Sequence, residues 1–299
     1  MQVKLNEDLS LSRIIAGVMN WGIWGSDLSP EKVNSLIKNC IDLGITTFDH
    51  ADIYGNYTTE KLFGEALTFG GIDRSQIQII TKCGIKMPCD NRLDIKIKSY
   101  SNSGAHIFES VKNSLENLGT DYIDLLLLHR PSPLLDPHVV ADAFLRLKNQ
   151  GKVKHFGVSN FEPVKFNMLY KSVPVITNQI EASVLNLDAF TNGTLDNALS
   201  RGIKPMAWAP LGGGKLFQKS KDYEFVTQRA RLKEVADKYG WTLDEMAYKF
   251  LLHHPSQILP VTGSSKIERI QVAVDAMADK ITDEQWFEIW SASKGQDVA

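Results

Sequence analysis

The feature that most restricts what this chain can become is a repeated pattern, not a repeated motif. Short apolar or β-branched runs alternate with longer helical stretches. The runs are "RIIAGV" (13–18), "ITTFD" (45–49), "QIQIITK" (76–82), "YIDLLLLH" (122–129), "KVKHFGVSN" (152–160), "VPVITNQ" (173–179), "IKPMAWAP" (203–210) and "QILPVTG" (257–263). Buried strands separated by helices imply a parallel sheet covered by helices. Eight such units in 299 residues fit a (β/α)8 TIM barrel better than an open doubly wound sheet.

The helical stretches carry their own punctuation. "LSPEKVNSLIKNCIDLG" (28–44) has Ser29 as cap, Pro30 in the first turn, an apolar stripe of Val33, Leu36, Ile37 and Cys40, and Gly44 as terminator. "GAHIFESVKNSLENLG" (104–119) is helical, and "DPHVVADAFLRLKNQG" (136–151) opens on Asp136-Pro137 and closes on Gly151. Further helical patterns cover 188–201 and 224–254, with Thr242 and Glu245 at capping-box spacing in the second. The opening "QVKLNEDLSLSR" reads as an N-terminal β-hairpin lidding the bottom of the barrel, and "TDEQWFEIWSAS" as an extra C-terminal helix. No linker or low-complexity stretch divides 1–299, so a single domain is expected.

Composition narrows the functional classes. With 43% hydrophobic residues, 23% charged residues and a net charge of -2, nothing draws the whole molecule toward nucleic acid or an anionic membrane. The N-terminus lacks a signal-peptide core, and no apolar run is long enough to span a bilayer. The three cysteines, Cys40, Cys83 and Cys89, make neither a disulfide framework nor a zinc set, and a cytoplasmic location is expected.

In such a barrel the active site lies at the C-terminal ends of the strands. Asp49, Lys82 and His129 stand at three of those ends, with Tyr54 in the loop after Asp49. Singly, each has an ordinary structural explanation; together, the geometry aims them at one space. A phenol titrates near 10, an adjacent buried ammonium favours its phenolate, and Asp49 supplies the ammonium's counter-charge. A neutral His129 would orient a substrate oxygen. The set is a tuned acid without a nucleophile, suited to protonating the oxyanion formed in carbonyl reduction, with the hydride coming from a cofactor. His50 alternates away from Asp49 and is expected to face outward or toward a loop, and His253-His254 to close a helix C-terminus, where cations suit the dipole.

The chain resembles the aldo-keto reductases along nearly its whole length. "FDHADIYGNYTTEKLFG", "IITK", "DLLLLHRP", "FGVSNF", "NQIE", "AWAPLGGG" and "PVTGSSKIER" follow in family order, and "HRPSPLLDP" is most similar to the bacterial YdhF-like branch. The resemblance implies a catalytic tetrad of Asp49, Tyr54, Lys82 and His129, with Tyr54 as general acid. It implies that Ser159, Asn160 and Gln179 hold a nicotinamide carboxamide, that Trp208 stacks on the ring, that Met19 and Asn20 bind the cofactor with Asn20 at the nicotinamide ribose, and that Trp21 lines the substrate pocket. In "APLGGG", Leu211, Gly212 and Gly213 offer backbone N–H groups to a pyrophosphate, and Pro210 is expected to line the same stretch. Gly263 and Ser264 precede a helix N-terminus where Lys266 and Arg269 would meet a 2′-phosphate, so NADPH/NADP+ is the expected cofactor. Val272 and Ala273 stand where the family often has Glu and Asn against the adenine. No G-x-G-x-x-G follows a strand, which argues against a Rossmann site.

Arg130, where many members have Trp, would either admit an anionic substrate or form a structural ion pair. The segment 84–104 is a long loop able to shape specificity. The expected activity is NADPH-dependent reduction of a small-molecule carbonyl substrate by a monomer. A cofactor-sensing regulatory subunit with little turnover is the alternative, since some members serve channels in that way. A metal-dependent hydrolase would need strand-end ligands that the chain lacks.

Overall fold

The chain opens with an antiparallel hairpin, β1 (Gln2–Lys4) and β2 (Ser10–Ser12), ahead of the first barrel strand, β3 (Ile15–Gly17). The structure, a computed structural model, describes residues 1–299. Helix α1 (Pro30–Asp42) begins where the Ser29 hydroxyl accepts the Lys32 N–H, and buries Val33, Leu36, Ile37 and Cys40. Each such side chain contributes about 1.5–3 kcal/mol when fully buried. Gly44, at φ 78°, supplies the left-handed turn that returns the chain to β4 (Thr47–Asp49). A single turn, α2 (Tyr54–Tyr57), and α3 (Thr59–Gly70) lead to β5 (Gln78–Cys83). The expected strand over 76–82 therefore starts two residues later, because Arg74–Gln76 forms a 3₁₀ turn.

The long loop holds a small antiparallel pair, β6 (Ile85–Lys86) with β7 (Ser99–Tyr100). Then come α4 (Gly104–Leu118), β8 (Ile123–Leu128), α5 (Pro137–Asn149), β9 (Val153–Ser159), α6 (Pro163–Tyr170) and β10 (Asn178–Glu181). The run 173–177 approaches through bonds to β9, Ile176 N–H to the Phe156 carbonyl among them, and pairs in the barrel only from Asn178. The helical stretch 188–201 breaks at left-handed Gly193 into α7 (Asp188–Thr191) and α8 (Thr194–Ser200), ahead of β11 (Met206–Trp208). The stretch 224–254 divides at Gly240 into α9 (Tyr223–Lys238) and α10 (Leu243–His253). The chain ends with β12 (Leu259–Thr262), α11 (Ile267–Asp275) and α12 (Asp283–Lys294).

Strands β3, β4, β5, β8, β9, β10, β11 and β12 close into one parallel barrel in that order, with helices between them: a (β/α)8 TIM barrel. The hairpin seals its N-terminal end, where Val3, Leu9 and Leu11 pack with Ile15, Ile80, Leu125, Leu127, Met206 and Leu259. Arg13 fastens the hairpin to α10, its guanidinium donating to the carbonyls of Leu252, Gln257 and Ile258. The C-terminal helix docks through Trp286, stacked 4.8 Å from Phe250.

Two helix-end expectations need correction. Thr242 does cap α10 by accepting the Glu245 N–H, but Glu245 turns its carboxylate toward Lys249 at 3.5 Å, so the box is only half made. The reciprocal box belongs to α12, between Thr282 and Gln285. Of the two histidines that close α10, His253 pairs with Asp283 at 2.8 Å, whereas burial lowers the pKa of His254 and favours its neutral form.

Candidate active site

Asp49 is the last residue of β4, Lys82 the penultimate residue of β5, and His129 directly follows β8. Strand register sets their heights: Asp49 lies opposite Ile80, and Lys82 opposite Leu127. Lys82 and Asp49 are all but enclosed, at 1% and 4% side-chain exposure. The Lys82 ammonium donates to both Asp49 oxygens at 2.9 and 2.8 Å, to the His50 carbonyl at 2.7 Å and to the Tyr54 hydroxyl at 3.2 Å. So enclosed a pair is stabilised by these added hydrogen bonds as well as by its own attraction.

Tyr54 reaches this ammonium because the chain after it is strained. Gly55, Asn56 and Tyr57 all take left-handed φ angles, 58°, 55° and 67°. A Cβ on Gly55 would lie 2.5 Å from the Thr59 hydroxyl, so the turn requires glycine there. Such strain is characteristic of functional sites. The Tyr54 ring stands edge-on to His129 at 6.0 Å and beside Trp24 at 6.1 Å.

Electrostatics give each group a protonation state. Burial raises the Tyr54 pKa, and the Lys82 charge pulls it back without overcoming that rise. The net lowering expected from the Lys82 charge is therefore not found, and the phenol keeps its proton at neutral pH. Burial opposes the Lys82 charge, but Asp49 and Tyr54 more than offset this and leave its pKa raised. Burial, then the charges of Lys82, Arg130 and Lys98, hold His129 well below the usual imidazole range, so it is neutral. His50 points outward from the barrel yet is wholly buried against Phe63 at 4.4 Å, its pKa lowered to about 3 chiefly by burial.

A shelf adjoins this cluster at the ends of β9, β10 and β11. The Trp208 indole N–H donates to Asn160 Oδ1 at 2.8 Å, Asn160 Nδ2 to the Ser159 hydroxyl at 2.7 Å, and that hydroxyl to the Gln179 carbonyl at 3.0 Å. Gln179 Nε2 donates to Asp49 at 2.9 Å, which joins the shelf to the buried pair. Pro210 is buried and Leu211 half-buried, and Gly212, Gly213 and Gly214 follow with φ of 59°, 65° and 87°. At Gly213 nothing lies within 4 Å of where a Cβ would stand, so this backbone is open to a ligand. Across the mouth, Asn20 Nδ2 donates to the Gly263 carbonyl at 3.0 Å, and Met19 is exposed. Ser264 caps Lys266 N–H at 3.0 Å, while Lys266 and Arg269 project from the start of α11, exposed and outside every ion pair. Open glycine backbone and unpaired cations beside a helix N-terminus fit a dinucleotide phosphate.

Two site expectations fail. Trp21 does not line the pocket: it is 1% exposed, packs on Phe48 and Phe63 at 6.1 and 6.4 Å, and donates its N–H to the Ser264 carbonyl. Trp24, three residues on, is the tryptophan beside Tyr54, anchored to Asn56 at 3.1 Å. "WGIWG" offers two tryptophans in one strand-end loop, and only the path of the turn shows which is exposed. Nor does Arg130 form the structural ion pair weighed for it. No carboxylate lies within pairing distance, and its guanidinium rests over the Trp208 ring at 5.5 Å.

Two other features lie apart from the strand ends. A groove of 680 Å³ between α4 and α5, lined by Phe108, His138, Val139 and Arg146, contains none of these groups. A polar pocket of 220 Å³ holds Asp52 and Glu60, whose pKa values burial raises, that of Glu60 to about 7. Glu60 accepts from Thr81, the residue before Lys82, at 2.6 Å, so this pocket braces β5 from behind.

The model of the Aldo/keto reductase family matches residues 13–294. The chain belongs to that family. Over 300 residues it is 46% identical to an uncharacterized oxidoreductase, YcsN, of Bacillus subtilis (strain 168), covering 99% of both chains. It is 43% identical to the oxidoreductase YdhF of Escherichia coli (strain K12), over 96% of this chain and 95% of that one. It is 40% identical to a 6-dehydroglucose reductase of Agrobacterium fabrum (strain C58 / ATCC 33970), over 100% and 99%. The resemblance to the YdhF-like branch is borne out, and the protein is an oxidoreductase of the aldo-keto reductase family. No helix is long and apolar enough to cross a membrane.

Proposed function

We propose that the protein reduces aldehydes or ketones to alcohols with NADPH, using Tyr54 as general acid. The observation that carries this reading is the Lys82 ammonium, enclosed by the Asp49 carboxylate and the His50 carbonyl and 3.2 Å from the Tyr54 hydroxyl. NADPH would supply the hydride that forms the new C–H bond. Ser159, Asn160 and Gln179 would hold its carboxamide, Trp208 its ring, Met19 and Asn20 its ribose side, residues 210–213 its pyrophosphate, and Gly263, Ser264, Lys266 and Arg269 its adenosine phosphate.

The chain's own groups handle the oxygen. A neutral His129 donates a hydrogen bond to the carbonyl oxygen and positions it against the Tyr54 hydroxyl. As negative charge builds on that oxygen, the Tyr54 proton passes to it and completes the alcohol, and Lys82 stabilises the phenolate left behind. Asp49 keeps Lys82 charged, and Gln179 keeps Asp49 in place. Because burial holds the Tyr54 pKa up, the acid is loaded at neutral pH.

The test is Tyr54→Phe, with NADPH oxidation followed across a panel of carbonyl compounds. Turnover should fall about 100- to 10,000-fold, while NADPH binding measured by fluorescence stays within a few-fold. Unchanged turnover would remove Tyr54 from the acid's role.

A further inference from the structure

Arg130 presents five N–H donors and no acceptor. It is half-buried at the barrel mouth and makes no ion pair. Its guanidinium is held over the Trp208 face at 5.5 Å, an attraction that fixes where the fork points without using its hydrogen bonds. The carboxylate at the centre of the site, Asp49, is already committed to Lys82 and Gln179. Arg130 also directly follows His129, so the two side chains spring from Cα atoms about 3.8 Å apart. If the reacting oxygen lies between Tyr54 and His129, this guanidinium is the uncommitted donor group nearest in sequence for the atoms that follow it. The charge of Arg130 is already felt there, since it contributes to the lowered pKa of His129 and offsets a small part of the burial-driven rise at Tyr54.

We propose that Arg130 selects the substrate: its guanidinium donates hydrogen bonds to oxygens on the carbon next to the reacting carbonyl, making α-oxygenated aldehydes and ketones the preferred class. This rests on the reductase reading above. A hydroxyl and a carboxylate are the two sources of such oxygens, and both satisfy a planar multi-donor group. A purely alkyl neighbour satisfies neither, and would leave the guanidinium stripped of water on one side with nothing in return. Trp24, on the other flank of Tyr54, offers only an apolar face, because its N–H is spent on Asn56.

The experiment compares glyceraldehyde, glyoxylate and propanal at saturating NADPH, in wild type and in Arg130→Met and Arg130→Lys. Wild type should favour glyceraldehyde or glyoxylate over propanal in kcat/KM. Arg130→Met should cut that preference about 10- to 100-fold, the range of one charged hydrogen bond, mostly through KM and with kcat changed only a few-fold. If Arg130→Lys restores glyoxylate alone, a carboxylate is the recognised group. If it restores neither while both respond to Arg130→Met, the forked geometry reads a hydroxyl as well; each supports the inference. Equal loss on all three substrates, or none, would overturn it. So would weaker NADPH binding with an unchanged preference, since Arg130 would then serve the cofactor. Wild type that binds NADPH yet reduces none of the three would overturn the reductase reading first, and this inference with it.

Discussion

Replacing Lys82 with Met separates the structural role of the buried pair from its chemical one. The substitution removes four hydrogen bonds and leaves Asp49, 4% exposed, with Gln179 Nε2 as its remaining partner. Breaking a buried pair by deleting one member costs about 3–5 kcal/mol, most of it the penalty of the orphaned charge. In a chain of this size that lowers the melting temperature by about 5–8 °C. Asp49→Asn together with Lys82→Met removes both charges and should recover more than half of the lost stability, because neutral groups of similar shape do not carry that penalty. Activity should part company with stability. Without the ammonium the phenolate has no counter-charge, so both variants should lose about 100- to 10,000-fold in turnover. Thermal melts and NADPH oxidation, run on wild type, the two single variants and the double, give the comparison. If Lys82→Met melts within about a degree of wild type, the pair is not the desolvated unit described, and its tuning of Tyr54 goes with it.

Two further outcomes follow from residues outside that pair. Arg269→Ala should raise the KM for NADPH about 10- to 100-fold, the loss of one charged phosphate contact, and leave that for NADH unchanged; a preserved preference in initial-rate kinetics would place the phosphate elsewhere. His50, at a pKa of about 3, stays neutral in the folded protein while the unfolded chain takes up a proton below about 6.5. The unfolded state then binds more protons, so this residue removes about 2 kcal/mol of stability as pH falls from 7 to 5. Urea midpoints for His50→Leu should lack that slope, and an identical slope in the variant would contradict the assignment.

The barrel was legible because its eight apolar runs and the glycines and caps between them state one architecture at every level. Strand ends were less so: 76–82 and 173–179 both extend into residues whose apolar side chains pack before the ladder begins. The structure brings Asp49, Tyr54, Lys82 and His129 together as expected, because standing at or just beyond a strand end is a sequence property. Trp21 was expected at the pocket and is buried instead, because the course of the turn after β3 is not. Nor does charge in the sequence report desolvation. Lys82 beside Tyr54 implied a lowered phenol pKa, and burial, invisible until the chain is folded, reversed the sign. For Arg130, an ion pair needed an acid within reach, and spacing along the chain could not say that none would be there.

The hairpin that fills one end of the barrel with Leu9 and Leu11 has a bearing on traffic. With that end filled, Lys82 and Asp49 are approached from the C-terminal ends of the strands, where Trp24 stands by Tyr54 and Arg130 by Trp208, and not through the barrel.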